Sequence, residues 1–476
     1  MGKRNLRVCL IFPPKENFAL REIKLHKSID MEAGIYPPLG LLYIASYLLK
    51  YSNYEVKIID SVAENLSYKD LETKVKKEKP DIVGIYTTTQ YLWDTVLTAR
   101  MIKSLDKDIK IIVGGPHVQL FPYETIKLGE FDYLVYGEGE IVFKRLLDFI
   151  KEEKDPEILP EVLGKNNLDK KLVRSVVNDL NVLPYPNRRL LPYKKYKSIL
   201  AKKNPITTMM SSRGCPYNCH FCNSIERGKK PRYVDPKKVV DEIEDILRLG
   251  IEDILFFDEN FASNRKRVID ICNEIIKRGI KVRWHCRMRA DLVDRELVRK
   301  MKLAGCRLIQ FGIESGTEHI QKVLNKNLNL RKVRENIKIV KDAGIFTYAD
   351  FMIGSPEETV EEMKKTIEFA KELGLDYAMF GVLNPLPETE IYRRAFREGL
   401  IEKDYWLEYV KNPSIPMKDY WWPVHSKELL RKMNMKAFRS FYFRPSYIFQ
   451  RLIKLDSIPQ AIWQISSAIK VFLRRG

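Results

Sequence analysis

From residue 203 to residue 400 the chain repeats one pattern about six times: a short apolar, β-branched run, a stretch with helical apolar spacing, then glycine. The expected strands are Ile206–Met210, Asp253–Phe257, Lys281–His285, Leu308–Ile313, Ile345–Ile353 and Tyr377–Leu383. The helices between them close on Gly250, Gly279, Gly305, Gly344 and Gly374. A glycine there accepts the left-handed conformation that ends a helix and turns the chain toward the next strand. Buried strands alternating with helices require a parallel sheet with crossover connections. Six such units make a partial (β/α)6 barrel, open on one side, whose active site gathers at the carboxyl ends of the strands.

The first of those ends runs into Ser-Arg-Gly-Cys-Pro-Tyr-Asn-Cys-His-Phe-Cys-Asn (212–223), which sets Cys215, Cys219 and Cys222 in a C-x3-C-x2-C loop. Thiolates are the usual ligands of a 4Fe-4S cubane, and three from one loop leave one iron open to a small molecule. The rival is a zinc site completed by His220 or His285. Structural zinc favours paired C-x2-C units or histidines at fixed spacing. Here there is one C-x2-C and no second pair. The other cysteines, Cys9, Cys272, Cys286 and Cys306, lie scattered, mostly beside apolar residues, as buried free thiols do. Seven cysteines with no secretory leader suit a reducing cytoplasm.

Residues 5–150 also alternate strand and helix, which predicts an open doubly wound parallel sheet of about five strands. The strands read as Arg7–Phe12, Tyr54–Ile59, Asp81–Tyr86, Ile109–Val113 and 134–136. Ligands of such sheets bind outside the carboxyl ends. Those ends carry Thr87, Thr88 and Gln90, then Gly114, Gly115 and His117, then Gly137, Glu138 and Gly139. Tyr36, Pro37 and Leu39 lie between the first strand and its helix. Any such fold needs tight turns there, so each turn alone says little; His117, like His285, is by itself more often structural than catalytic.

The 476 residues call for two or three domains. The divisions read as 1–150, a proline-rich connector 151–200, the barrel 201–400, and a basic, aromatic-rich helical C-terminal cap 401–476. The net charge of +20 suggests an acidic partner. Residues 430–476 hold ten Lys and Arg against one acid, Asp456, and Ile458–Arg475 reads as a basic amphipathic helix. Such a helix can lie on a membrane surface. That gives a cytoplasmic protein with a candidate peripheral membrane contact through 430–476. No nucleic-acid-binding module is recognisable, so no nucleic-acid partner is expected.

The cysteine loop, in its strand–loop–helix setting, resembles that of the radical S-adenosylmethionine (SAM) enzymes. The strand-end glycines and threonines of residues 5–150, taken together, resemble the cobalamin-binding domain that precedes many radical SAM barrels. The resemblance implies a 4Fe-4S cluster on Cys215, Cys219 and Cys222. It implies SAM contacts at Phe221, Asp258, Glu259, Arg287, Arg289, Glu314, Ser315, Gly354 and Glu357. Cobalamin contacts would fall at the strand-end residues named above and at Tyr36, Pro37 and Leu39. Where many such domains have a cobalt-ligating histidine in Asp-x-His-x-x-Gly, this chain reads Asp60-Ser61-Val62-Ala63-Glu64-Asn65. Cobalamin is therefore expected without a protein histidine ligand. Asn384-Pro385-Leu386-Pro387-Glu388-Thr389 also departs from the Pro-Gly-Thr often found in relatives.

The activity implied is cobalamin-dependent methylation of an unactivated carbon on a small hydrophobic substrate of the lipid, isoprenoid or tetrapyrrole class. A reductant such as flavodoxin or ferredoxin would supply the electron. The alternatives are a radical SAM cyclase or rearrangement enzyme that keeps the first domain as scaffold, and a non-catalytic corrinoid or iron–sulfur sensor. The full set of SAM-contact candidates speaks against the sensor. A methylthiotransferase would bring three more cysteines ahead of the barrel, where only Cys9 stands.

Overall fold

A computed structural model describes residues 5–17, 34–223, 230–415, 417 and 424–453. The chain forms two compact units, one of residues 1–198 and 403–419, the other of 199–402 and 420–476. The aromatic run Tyr420-Trp421-Trp422 and the helix expected at Ile458–Arg475 lie outside the described residues.

The first unit is built on a six-stranded sheet. Its strands are β1 (Arg7–Phe12), β2 (Glu55–Asp60), β3 (Ile82–Tyr86), β4 (Lys110–Gly114), β5 (Tyr133–Val135) and β6 (Val162–Gly164), in the order β2-β1-β3-β4-β5-β6. The first five run parallel, and β6 is antiparallel to β5. Leu10, Ile11, Val83, Ile111 and Val113 are fully enclosed, which is why these strands read as unbroken apolar runs. Strand β6 falls within the segment read as a connector. Three residues flanked by Pro160 carry no periodic signal, and only pairing with β5 makes them a strand. The later part of that segment also belongs to this unit: Lys197 and Ser198 pair with Ile35 and Gly34.

The second unit holds strands β7 (Ile206–Met209), β8 (Asp253–Phe256), β9 (Arg283–Met288), β10 (Cys306–Glu314), β11 (Phe346–Ile353) and β12 (Tyr377–Val382). They are parallel and lie in sequence order, with β7 and β12 as free edges, so the barrel is open. Strand β9 starts two residues later than expected and continues through Met288, which places Arg287 inside the strand instead of beyond it. The five helix-closing glycines all adopt positive φ. At Gly305 the need is steric as well, since a Cβ would lie 1.9 Å from the Val282 carbonyl oxygen.

Along β10 and β11, Ile309, Phe311, Ile313, Ala349, Phe351 and Ile353 are buried and pack outward under the helices. The alternate positions Gln310, Gly312, Tyr348, Asp350 and Met352 are half-buried and face the lumen. The outer face of β12 is covered by helix α1 (Lys427–Tyr442): Phe380 meets Phe438 and Phe441, and the Tyr442 hydroxyl donates to the Ala378 carbonyl at 2.7 Å. The segment expected as one cap thus divides. Residues 403–419 belong to the first unit, and α1 completes the barrel wall.

Candidate active site

The cysteine loop is anchored from both sides. Ser212 and Arg213 pair antiparallel with Tyr233 and Arg232, closing the loop at its base. Asp258, fully buried at the end of β8, accepts the Ser211 amide at 2.8 Å, the Ser211 hydroxyl at 2.7 Å and the Ser212 hydroxyl. Arg267 lies 3.6 Å from the same carboxylate and donates to the Ser211 carbonyl. Burial pushes Asp258 up, and Arg267 and the hydroxyls pull it back. Glu259 accepts the Gly214 amide at 3.1 Å. At the far side, His220 holds the Val323 carbonyl through Nδ1 at 2.9 Å, and Asn325 donates to the Asn218 carbonyl at 2.8 Å.

The three cysteines form no disulfide and are half-buried. Burial raises Cys215 and Cys219; around Cys219, Lys326 and Arg289 act in the opposite direction. Two cations beside the thiols favour their anionic form, which is the form that binds iron. Among the described residues no three His, Cys, Asp or Glu side chains converge on one ion. A cubane does not ask for that, because each thiolate takes a different iron. Of the two histidines the zinc alternative would need, His285 sits low in the barrel with Nε2 3.5 Å from Asp253, whereas His220 donates through Nδ1 to the Val323 carbonyl, so that alternative rests on His220 alone.

The other expected residues separate into those near open polar space and those bound into the scaffold. Arg289 is held by its neighbours: its Nε and Nη2 grip Asp291 at 3.0 and 2.9 Å, Nη2 also reaches the Lys326 carbonyl, and the guanidinium stacks 3.9 Å from the Tyr217 ring. Arg287 keeps its terminal fork open, using only Nε, toward Gln310. Glu314 pairs with Lys326 at 2.7 Å, and Lys326 in turn lies 5.7 Å over the Phe221 ring. Ser315 turns its hydroxyl away to Thr366, at 3.2 Å.

At the turn after β11 the expected Glu357 and its neighbour Glu358 have opposite settings. Glu357 is exposed and pairs with Arg394 at 2.7 Å and His319 at 3.3 Å. Glu358 is buried and accepts the Gly354 and Ser355 amides at 2.7 and 3.0 Å. The reason is local: Glu357 takes φ +62°, and that left-handed step turns the second glutamate inward. Burial pushes Glu358 up to about 7.

Four buried polar atoms at strand ends have no hydrogen-bond partner among the described residues: Asn260 Nδ2, Ser355 Oγ, Glu358 Oε1 and Asn384 Oδ1. Each such atom costs about 1–3 kcal/mol unless something supplies the bond. They stand after β8, β11 and β12, where a zwitterionic, ribose-bearing ligand needs donors and acceptors. The residues present therefore fit SAM. No sequence signal marks which atoms of Asn260, Glu358 or Asn384 stay unsatisfied, because that depends on neighbours distant in the chain.

In the first unit, among the described residues, Thr88 Oγ1 and Gln119 Oε1 are likewise buried without a partner, and a Cβ on Gly114 would meet nothing within 4 Å. That open strand end, with Gln90 half-buried nearby in sequence, is a cradle for a flat ligand. Other expected contacts are built into the fold. His117 is fully enclosed, with Thr89 and Thr125 hydroxyls 3.0 Å from its two ring nitrogens, and burial holds it down at about 3. Thr87 is enclosed too, and accepts the Thr95 hydroxyl at 2.9 Å. Gly115 has φ +112°, and a Cβ there would lie 2.6 Å from the Thr87 carbonyl. Gly137 backs against Ser175, where a Cβ would come within 2.4 Å, and Glu138 accepts the Val177 amide at 2.6 Å. Gly139 opens a helix, where a Cβ would lie 3.1 Å from Ile44, and Tyr36 is bound to Ser198 at 3.0 Å. Pro37 and Leu39 are buried at the head of their helix. Val62, at the position of the missing histidine, sits in a short turn capped by Asp60, whose carboxylate also accepts the Tyr196 hydroxyl at 2.8 Å.

Residues 209–370 match the family model of the radical SAM superfamily, and residues 32–147 match that of the B12 binding domain. The chain is 32% identical over 458 residues to an uncharacterised methyltransferase of Pyrococcus horikoshii, covering 94% of this chain and 95% of that one. It is 29% identical to the anaerobic magnesium-protoporphyrin IX monomethyl ester cyclase of Rubrivivax gelatinosus, over 76% of this chain and 66% of the relative. It is 24% identical to the hopanoid C-2 methylase of Rhodopseudomonas palustris, over 85% and 72%. Among solved structures, the cobalamin-dependent S-adenosylmethionine radical enzyme OxsB, with aqua-cobalamin and S-adenosylmethionine bound, shares the fold at a TM-score of 0.74 and 18% identity, covering 98% of this chain and 72% of that one. The radical S-adenosylmethionine methyltransferase TsrM of Kitasatospora setae, with cobalamin and [4Fe-4S] cluster bound, gives 0.68 and 17%, over 83% and 75%.

Proposed function

Because the chain belongs to the radical SAM superfamily, in the branch whose barrel follows a B12 binding domain, we propose that it is a methyltransferase acting on an unactivated carbon of a small, largely apolar molecule. Its cofactors are a 4Fe-4S cluster, SAM and cobalamin. Bound together, these supply a 5′-deoxyadenosyl radical and a methyl donor.

The chain's own residues have narrower tasks. Cys215, Cys219 and Cys222 hold the cluster, and Asp258, Glu259 and His220 hold the loop that carries them. Phe221, Asn260, Glu314, Gly354, Ser355, Glu358 and Asn384 border the SAM position. Thr88, Gln90, Gly114 and Gly115 border the cobalamin. Lumen positions such as Phe257, Tyr348 and Met352 give the substrate an apolar wall and exclude water. The observation that carries the reading is the set of unsatisfied polar atoms ringing the strand ends beside the cysteine loop.

Anaerobic purification with cobalamin supplied, followed by corrinoid and iron assays, tests it. About one corrinoid and about four irons per chain, with 5′-deoxyadenosine formed on reduction, is the expected result. Iron without corrinoid overturns methyl transfer and favours a cyclase or rearrangement enzyme.

A peripheral membrane contact is a further part of the proposal. Phe443, Ile448 and Phe449 are exposed where α1 leads into α2 (Pro445–Ile453), just ahead of the basic, apolar residues 454–476. No helix among the described residues is long and apolar enough to cross a membrane. An apolar edge flanked by bases suits the headgroup boundary of anionic lipid.

A further inference from the structure

The barrel lumen carries a polar relay that the proposed function leaves without a role, although the family resemblance places its arginine, Arg287, among the SAM contacts. Arg287, Gln310 and Asp350 lie on β9, β10 and β11, on the face turned away from the helices. Arg287 Nε donates to Gln310 Oε1 at 3.1 Å, and Gln310 Nε2 donates to Asp350 Oδ2 at 2.6 Å. The amide is therefore fixed, with its oxygen toward the cation and its nitrogen toward the anion. Cation and anion are linked without touching, so the carboxylate orients the guanidinium without neutralising it at contact distance.

Arg287 is exposed, and among the described residues its two terminal nitrogens take no acceptor. Its guanidinium lies 5.0 Å from the centre of the Phe257 ring. Across the relay, β11 and β12 carry Tyr348, Met352, Tyr377 and Met379, all half-buried. A planar, always charged fork held in one orientation at an otherwise apolar wall is a bidentate receptor for an oxyanion. Arg289 does not offer such a fork, since its Nε and Nη2 are already committed to the Asp291 carboxylate and the Lys326 carbonyl.

We propose that Arg287, oriented through Gln310 by Asp350, anchors an oxyanion head, a carboxylate or a phosphate, on an otherwise apolar substrate. This deepens the function proposed above and rests on it in placing the substrate within the barrel.

The test uses the full-length, cluster-reconstituted protein with SAM present. Decanoate, decyl phosphate and decanol are titrated calorimetrically. At least one anionic probe should bind about tenfold more tightly than decanol, and the preferred one identifies the head as carboxylate or phosphate. Arg287→Gln should bring that probe to the level of decanol. Arg287→Lys should recover only part, because an ammonium lacks the planar fork. Gln310→Leu frees the guanidinium to rotate and should weaken the anionic probe several-fold while leaving decanol unchanged. Equal binding of all three probes overturns the proposal. So does an Arg287→Gln protein that loses SAM binding, since the arginine then serves SAM. Should Arg287→Gln fail to fold, an unaltered anion preference in Gln310→Leu overturns it. Formation of 5′-deoxyadenosine is followed in parallel; its absence in the unaltered protein sinks the radical reading and leaves the head-group result standing.

Discussion

Lys326 Nζ lies 2.7 Å from Glu314 Oε1, and each side chain is less than a tenth exposed. The pair closes over the end of β10 so tightly that a Cβ on Gly312 would fall 2.6 Å from the ammonium and 2.5 Å from the carboxylate. The same ammonium faces the Phe221 ring and the Cys219 thiol. One buried ion pair thus joins the barrel wall to the cysteine loop.

Lys326→Met should therefore destabilise the barrel by about 3–5 kcal/mol, because it strands a buried carboxylate. The double variant with Glu314→Gln should recover most of the loss. Urea unfolding of the two proteins checks this; a single variant as stable as the parent would show that the pair contributes nothing.

Asp258→Asn should cost a similar amount, about 3 kcal/mol or more, since an amide leaves a donor facing Ser211, Ser212 and Arg267. Its distinctive consequence is reduced iron loading although Asp258 touches no metal. Iron content per folded chain, measured beside the melting temperature, separates loop disorder from global unfolding.

Cys219→Ala should abolish the iron–sulfur absorption and the formation of 5′-deoxyadenosine. A variant that still cleaves SAM reductively would remove Cys219 from the ligand set.

Glu358 gives a pH signature. Its folded value of about 7 lies above the ordinary 4.5, so the folded state prefers the protonated carboxyl. Below about 4.5 both states are protonated and nothing is lost. As pH climbs from there to about 7, the unfolded chain ionises first and the folded form grows less stable, by about 3 kcal/mol in the limit. Glu358→Gln should melt near the parent at pH 5 and above it at pH 8. Parallel melting curves for the two proteins across that range would sink the assignment.

Truncation after Ile453 should weaken binding to phosphatidylserine vesicles, and high salt should mimic it. Cutting further back is no cleaner test, since Leu430, Met433, Ala437 and Phe441 of α1 are buried in the barrel wall. Vesicle binding that survives the truncation would leave the tail without a membrane role.

The order of strands and helices was legible from the chain because burial leaves a periodic trace: unbroken apolar runs at Leu10–Ile11 and Ile111–Val113, and glycines at the helix ends. The cysteine spacing was equally plain, since a cluster takes its ligands from one continuous loop. Strand β6 was not legible, because its pairing is with residues about thirty positions away. Nor was the choice between Glu357 and Glu358, which have the same chemistry and adjacent positions; one backbone step at φ +62° decides which is buried.

The sequence alone determined which chemistry this protein can host, because thiolates, glycines and strand–helix alternation act through local spacing. Only the tertiary structure decided which polar groups remain available for it. Arg287 and Arg289 are two residues apart and alike in sequence, yet one is committed to Asp291 and Lys326 and the other keeps its fork open. That difference comes from neighbours brought together across strands, and no local pattern records it.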